Sequence, residues 1–486
     1  MKKSQLIYIT ILLTVLAFSS CRKDFNAKQA STNLKFSSDT IYLDTVFTNI
    51  GSSTRVLKVY NQEDEWVNIP EVKLGRGDAS LYRINIDGRS GNIQNDIEIA
   101  PKDSIFIFIE TTIDYNQVTN PLYTDSIVFS TNTFQQDVKL VTLVQDAEFL
   151  YPPKGESFFV VNKDLWTNEK PYVIYGYAVV DSAKTLDIQA GSRIHFHNNS
   201  GLIVYKDASL RVHGELDNEV VFEGDRLEPA YTDVPGQWGM IWLYPASKDN
   251  IIDYAIIKNG QIGVRADSIG NSTNPTLKLL NTQIYNQSIV GVLAQGSHIE
   301  GENIVISNCG RTSLALQIGG KYNFKHSTFA NYWSNSVRQT PSVFISNWYE
   351  SNEGSIISRN LDEAYFGNCI IYGNNQDELV LSGNNNANFN YKFENNLIKY
   401  TNRDKELDFE IEGNPLFENT IINEEPHFWD EYINDMRITD ESAAVGSGKL
   451  EIANDVPFDI LKKQRNKPGQ IDLGAYQNAV KEETKE

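Results

Sequence analysis

Cysteine, histidine and basic charge are all scarce in this chain. Its 486 residues include three cysteines, three methionines and six histidines. Three cysteines exclude a densely cross-linked disulfide scaffold. Lys and Arg number 43 against 63 Asp and Glu, a formal net charge of −20. Such a surface repels phosphate backbones, which excludes nucleic acid as a partner and suits neutral or cationic ligands. Beyond the first twenty residues no apolar run is long enough to span a bilayer as a helix. What remains, with 22% charged and 11% aromatic residues, has the composition of a folded chain and the length of two or three domains.

The first residues, "MKKSQLIYITILLTVLAFSSC", have the parts of a secretory signal: a basic start at Lys2 and Lys3, then an apolar run from Leu6 to Phe18. The small residues before Cys21 make it resemble a bacterial lipoprotein signal, with Phe18 where leucine is usual. The resemblance implies that residues 1–20 are removed and that Cys21 is acylated. Its chains, at about 0.8 kcal/mol per buried CH₂, would hold the protein on outer-membrane lipid. "CRKDF" resembles the Lys-acidic export signal of Bacteroidetes-type lipoproteins, which implies an outward-facing location. Residues 21–32 then read as a tether.

From residue 33 to 147 the chain offers short alternating segments such as "STRVLKVYN", "SIFIFIE" and "DVKLVTLVQD" between polar turns. This spacing predicts an antiparallel β-sandwich. In "SIFIFIE", Ile105, Ile107 and Ile109 point one way and Phe106 and Phe108 the other, so the strand is central or covered by a neighbour. The stretch "LKFSSDTIYLDTVFTNIGSSTRVLKVYN" resembles an Ig-like domain of Bacteroidetes surface lipoproteins. "YPPKGESF" reads as a linker.

The rest contains a repeat. Anchored on Tyr254, Asn281, Asn303, His326, Asn368 and Asn395, its steps are 27, 22, 23, 42 and 27 residues. Two residues before the anchors stand Ile252, Leu279, Gly301, Phe324, Phe366 and Phe393; three after stand Ile257, Ile284, Ile306, Phe329, Ile371 and Ile398. These offsets differ by an odd number, and a straight strand cannot bury both. A corner must therefore fall at or beside the anchor. Asn tolerates the left-handed conformation that a corner needs. Stacked corner side chains would form a hydrogen-bonded ladder of Asn281, Asn303, His326, Asn368 and Asn395. Cys309 and Cys369 fall in different columns and are expected as free thiols.

A unit near 22 residues fits one coil of a right-handed parallel β-helix, expected over residues 148–412. "LDIQAGSRIHFHNNSGLIVYKDASLRVHGELDNEVVFEG" and "GQWGMIWLY" resemble the first coils of the pectate-lyase-like superfamily. "GNPLF", "MRITDESAAVGSG" and "GQIDLGAY" resemble the closing module of secreted bacterial β-helix proteins, departing at Glu441 and Val445. That module is expected over 413–478, capping an open coil end, with a tail at 479–486. The fold class is thus all-β: an Ig-like sandwich, then a right-handed parallel β-helix with a closing module.

Three groups could carry chemistry. Glu300 and Glu302 share a strand face, with Lys278 and Lys325 on flanking coils. This is the best acid–base cluster for a polysaccharide lyase or glycosidase, but a solvated charged surface explains it as well. The calcium-binding aspartates of pectate lyases are absent, as is the Gly-His-Gly of polygalacturonases. His195, His197 and His213 could ligate zinc or copper, yet strands place alternating polar residues outward and Arg193 and Arg211 repel a cation. Tyr332, Trp333, Trp348 and Tyr349 bracket the longest insertion and offer flat rings to a sugar or a protein. The resulting expectation is a monomeric, cofactor-free surface protein, a non-catalytic binding or scaffold module for a glycan or envelope partner. A polysaccharide lyase or glycoside hydrolase is the alternative, and a passive spacer needs no site at all.

Overall fold

The structure is a computed structural model that describes residues 27–30, 33–132, 134–269, 273–351, 353–402, 409–465 and 470–478. Cys21 and the signal lie outside these residues, as does the 479–486 tail. The chain divides at Asp146/Ala147 into two compact units.

In the first unit, two sheets enclose one apolar core that includes Leu57, Ile69, Ile107, Phe129 and Leu140. One sheet has six strands, with Val67–Leu74, Leu122–Ser130 and Gln135–Gln145 at its centre. The other has five, in the order Lys35–Phe36, Arg55–Tyr60, Ser104–Thr111, Tyr82–Ile86, Arg89–Ser90. Ser104–Thr111 is the middle strand, and its isoleucines fill the core. Phe106 and Phe108 on its other face are 41% and 42% exposed. Two pairings depart from the antiparallel expectation. Thr40–Phe47 runs parallel to Gln135–Gln145, and Lys28–Gln29 runs parallel to Val67–Leu74. Partners so distant in sequence are not bound to the hairpin geometry that forces antiparallel neighbours. Lys28–Gln29 also shows that part of the expected tether is built into a sheet.

The second unit is built from three long parallel sheets of 11, 9 and 10 strands, an arrangement compatible with a parallel β-helix. The chain visits them in rotation. One pass runs, for example, through Gln283–Tyr285 in sheet I, Val290–Gln295 in sheet II and His298–Glu302 in sheet III. The next pass begins with Val305–Ser307, again in sheet I.

The corner between sheets III and I falls at the anchors. Tyr254, Asn281, Asn303, His326, Asn368 and Asn395 have φ of 46°, 44°, 53°, 45°, 53° and 51°. Each corner reverses side-chain parity and lets both flanking apolar columns face inward. Ile252, Leu279, Gly301, Phe324, Phe366, Phe393 and Phe417 pair in register in sheet III. Their last four rings stack at 5.3, 4.9 and 4.8 Å. Gly301 makes room for this stack, since a Cβ there would meet Phe324 at 2.5 Å. A second corner, between sheets I and II, uses Asn259, Asn286 and Asn308 at φ 65°, 55° and 49°. Asn331 departs from that pattern. It sits within strand Thr328–Asn331, where its side chain bonds the Cys309 backbone. Cys309 and Cys369 are buried free thiols, each pushed up to about 12 by burial.

The ladder exists in segments. Asn281 donates to Asp253 Oδ1 at 2.9 Å, and Asn303 donates to Asn281 Oδ1 at 2.9 Å. Asn368 Nδ2 lies 3.0 Å from His326 Nε2, and Asn419 donates to Asn395 at 3.4 Å. In the gaps, residues from the C-terminal segment take over. Arg465 Nη2 donates to Asn303 Oδ1 at 2.9 Å, and the Lys449 backbone pairs with both amide atoms of Asn368.

This overturns the expectation that the closing module only caps an end. Met436, Ile460, Ala475 and Tyr476 pack on Val305 and Ala330, and Ile438, Ala444 and Leu473 pack on Ile370, Tyr372 and Leu397. The segment thus runs along the outer face of sheet I, because that face carries apolar side chains needing cover. The coil also outlasts residue 412. Phe417–Glu418 and Ile421–Ile422 still pair into sheets III and I, around another left-handed corner at Asn419.

Asn303 supplies both the corner and the seam, so two substitutions separate its roles. Asn303→Ala loses the side-chain bonds and places a Cβ at positive φ; Asn303→Gly loses only the bonds. We expect the Ala variant to be less stable than the Gly variant by about 1 kcal/mol. The check is chemical denaturation, and equal midpoints would remove the corner role.

Candidate functional site

Sheet III presents the charged face. In register across its strands lie Lys278, Glu300 and Asn323, and in the next outward column Asp253, Leu280, Glu302 and Lys325. Lys278 Nζ is 3.8 Å from Glu300. His298 Nε2 is 4.0 Å from the same carboxylate, and burial holds that imidazole below its usual pKa. Lys325 turns away from Glu302 to pair with Asp455 at 2.6 Å. Glu302 instead borders a cleft of about 350 Å³, lined also by Tyr254, Asn281, Asp455, Asp459 and Lys462. Burial lifts the carboxyls of Glu302 and Asp253 above the ordinary range, with Lys325 opposing the shift at Glu302 and the Asn281 amide opposing it at Asp253. The two carboxylates share a column two strands apart, about 10 Å at the backbone. Sequence reading found Glu300, Glu302, Lys278 and Lys325. It could not find Asp455 or Lys462, which arrive from a segment 130 or more residues away.

The histidines do not converge. His195 lies in sheet I and His213 in sheet III. His195 does not point into solvent as expected: it is 2% exposed, its Nδ1 is 3.1 Å from the Gly224 carbonyl, and burial lowers its pKa. His197 Nδ1 meets Asp225 at 2.7 Å and its ring stacks on Tyr175 at 4.5 Å. His213 Nε2 meets Asp187 at 3.0 Å. Among the described residues no group of three His, Cys, Asp or Glu could hold a metal ion.

The four bracketing aromatics also separate. Tyr332 packs edge-on against Phe428 at 6.1 Å within the seam of the C-terminal segment. Trp333 is 8% exposed and donates to Ser336 Oγ at 2.9 Å. Trp348 and Tyr349 belong to a separate hairpin, Trp348–Glu350 with Ile356–Ser358, and Trp348 donates to Ser382 Oγ at 3.0 Å. The insertion is clamped by a buried ion pair. Arg338 Nη1 donates to Glu378 Oε2 at 2.8 Å, and that carboxylate also accepts from Ser342 N at 2.8 Å. Tyr332 and Trp333 are thus packed against the protein, whereas Tyr349 on the hairpin is 36% exposed.

Sheet II has the surface that neither the acids nor the bracketing rings provide. Ile203, Trp242, Arg265, Leu293, Ala315, Phe344 and Val380 pair in register across seven strands. Their chain neighbours, such as Leu202, Ile241, Val264 and Val292, fill the core. The column therefore faces away from the core, over a length of about 29 Å at ~4.8 Å per strand, with Ala315 buried within it and the other six half-buried. Beside it runs a polar column containing Asp267, Gln295 and Gln317, in which Gln295 donates to Gln317 at 3.3 Å. Its charges cancel locally: Arg265 pairs with Asp267 at 2.8 Å and lies 4.7 Å from the Trp242 ring centre, and the Trp242 indole donates to Asp267 at 2.9 Å. The signal was present in segments such as "IGVRA", "VGVLA" and "LALQI", whose alternation sets every second residue outward.

No family model matches the chain, and no curated protein matches it. Among solved structures it is similar to a protein of unknown function from Porphyromonas gingivalis W83, at 8% identity. The match covers 25% of this chain and 58% of that one, with a TM-score of 0.17. A family 123 glycoside hydrolase from Clostridium perfringens, described for glycolipid glycan hydrolysis, matches at 11% identity. It covers 25% of this chain and 30% of that one, also with a TM-score of 0.17. Overlaps this partial and this loose bear on neither fold nor activity.

The raised Glu302 carboxyl gives a signed expectation. The folded state holds this proton more tightly than the unfolded state does. Stability from this group is therefore full below the ordinary carboxyl pKa and is lost as pH rises through the raised value. Glu302→Gln should be more stable than the parent at pH 7, with the difference vanishing in acid. Denaturation midpoints of both proteins across pH provide the check, and a Gln variant less stable at pH 7 would contradict the burial argument.

Proposed function

We propose that the chain is a lipid-anchored cell-surface binding module. In this reading Cys21 is acylated into the outer membrane and faces the exterior. An Ig-like sandwich leads into a right-handed parallel β-helix of the pectate-lyase-like type, which holds an uncharged, extended glycan without cleaving it. The outward column of sheet II is the observation that supports the reading. It is long and ring-bearing, and its charges are paired off on a protein of net charge −20. Of the three faces, sheet I is largely lined by the C-terminal segment and sheet III is dense in charge. An apolar strip beside a row of amides suits sugar rings, which present C–H faces and hydroxyl edges.

The enzyme reading keeps one specific support, the burial-shifted Glu302 carboxyl at the sheet III cleft with the shifted Asp253 carboxyl in the same column. Inverting glycosidases use carboxyl pairs about 6.5–9.5 Å apart.

A glycan array probed with the chain lacking residues 1–21, with reducing-sugar and unsaturated-product assays on the hits, separates these readings. Binding without turnover, abolished by Leu293→Glu and reduced about tenfold by Trp242→Ala, is the expected result. Turnover lost in Glu302→Gln would replace the binding reading with the enzymatic one.

A further inference from the structure

We propose that the first unit carries a separate site for a neutral saccharide on the outer face of its five-stranded sheet. Three strands put their outward side chains into rows. Val56, Phe108 and Asn85 lie side by side, and Glu110 and Arg83 form the adjoining pair. Phe108, at the centre, is 42% exposed, an unusual position for a large ring on a middle strand. The ring of its neighbour Phe106 has the Lys58 ammonium 5.0 Å from its centre.

The turn after Tyr82–Ile86 raises a wall over this floor. It passes through Asp87, Gly88 and Gly91 at φ 48°, 84° and 153°. Asn85 holds it, accepting from Gly88 N at 2.9 Å and donating to Ser90 Oγ at 3.0 Å. Floor and wall border an open basin of about 900 Å³ lined by Phe108, Glu110, Arg83, Asn85, Ser90 and Asn92. That volume lies in the range of ligand sites, and an aromatic surface with a few convergent polar groups is their usual lining.

The polar groups specify the class of ligand. Arg83 Nη2 lies 3.9 Å from Glu110 Oε2; the guanidinium also donates to Thr112 Oγ1 at 3.1 Å and the carboxylate accepts from Thr54 Oγ1, so the two charged groups are held side by side at the basin's edge. Neighbouring hydroxyls on a sugar ring each donate and accept. The carboxylate accepts a hydrogen bond from one hydroxyl and the guanidinium donates one to the other. The ring's C–H face then rests on Phe108. Because the two charges cancel, the basin favours an uncharged ring over an acidic or a basic one. The site lies wholly within the first unit and stands or falls independently of sheet II.

The test uses the chain lacking residues 1–21, with methyl α-mannopyranoside, methyl β-glucopyranoside and methyl β-glucuronide as probes. Binding is read by calorimetry and saturation-transfer NMR. We expect saturable binding of at least one neutral glycoside in a Leu293→Glu background, in which the sheet II strip is disabled, and a loss of about tenfold when Phe108→Ala is added. Circular dichroism checks folding, and Phe108→Leu, which keeps apolar bulk but not the flat ring, serves if the Ala variant fails to fold. No saturation by either neutral glycoside at millimolar concentration overturns the proposal. So does binding in that background that survives loss of the ring, or tighter binding of the glucuronide.

Discussion

The left-handed corner is the constraint on which the second unit depends. A β-strand alternates, so a chain that buries residues at an odd separation must break its parity. Residues from Tyr254 to Asn395 do this at the same place in successive coils, with φ between 44° and 53°. For an L-residue that conformation costs about 1–2 kcal/mol, and Asn bears it best because its short amide bonds locally. Here the amides also bond each other and the C-terminal segment. The bend and the seam thus use the same atoms, which makes the corner residues harder to replace than a turn alone would.

Once three sheets are fixed around one core, each outer face has a separate fate. Sheet I carries apolar side chains outward, and the C-terminal segment lies along them. Sheet III alternates Asp, Glu and Lys, which are stable in water and make weak pairs. Sheet II carries a charged pair, Arg265 and Asp267, beside apolar side chains. Its Trp242, Leu293 and Phe344 are half-buried, and Trp242 packs against Tyr244 at 5.1 Å. In a chain with this excess of acid, a surface without net charge is the one least hostile to an uncharged partner.

What could be read in the sequence was whatever local sterics and period decide. The corners follow from parity and from Asn, and the inward isoleucines and phenylalanines follow from the corners. The outward column of sheet II was equally legible, because period two fixes it once "VGVLA" is taken as a strand. Contacts across long separations were not legible. Arg465 reaches Asn303 across 162 residues and Lys325 reaches Asp455 across 130. No periodicity points to either. The burial of Trp333 was not legible for the same reason: it lies in the insertion that holds the Arg338–Glu378 ion pair, and only the folded chain brings those two charges together. His195 is covered because the adjacent strand brings Gly224 and Glu223 against it, which spacing alone does not disclose.

The perturbed carboxylates of the sheet III cleft can be weighed on the same terms. Shifted acids in a cleft are a recognised mark of catalysis, yet structural networks produce the same mark. Here the cause of the shift is visible. Val456, Pro457 and Phe458 line the cleft opposite Glu302 and Asn303, and the Phe458 carbonyl accepts from Asn303 at 2.9 Å. The Lys462 ammonium stands 5.4 Å from the Tyr254 ring centre beside Asp253, and Lys325 is committed to Asp455. The acids are desolvated because a segment docks over them, and that docking is already explained by the apolar face of sheet I and the Asn seam. A catalytic cleft would need groups left over after the docking is accounted for, aimed at a substrate and not at the segment. Asp455 pairs with Lys325 and Asn303 with the Phe458 carbonyl, so the contacts at this cleft are largely those of the docked segment, whereas Arg265 and Asp267 of sheet II pair with each other. The choice between the binding and the enzymatic proposals therefore rests on contacts of this kind and not on the fold.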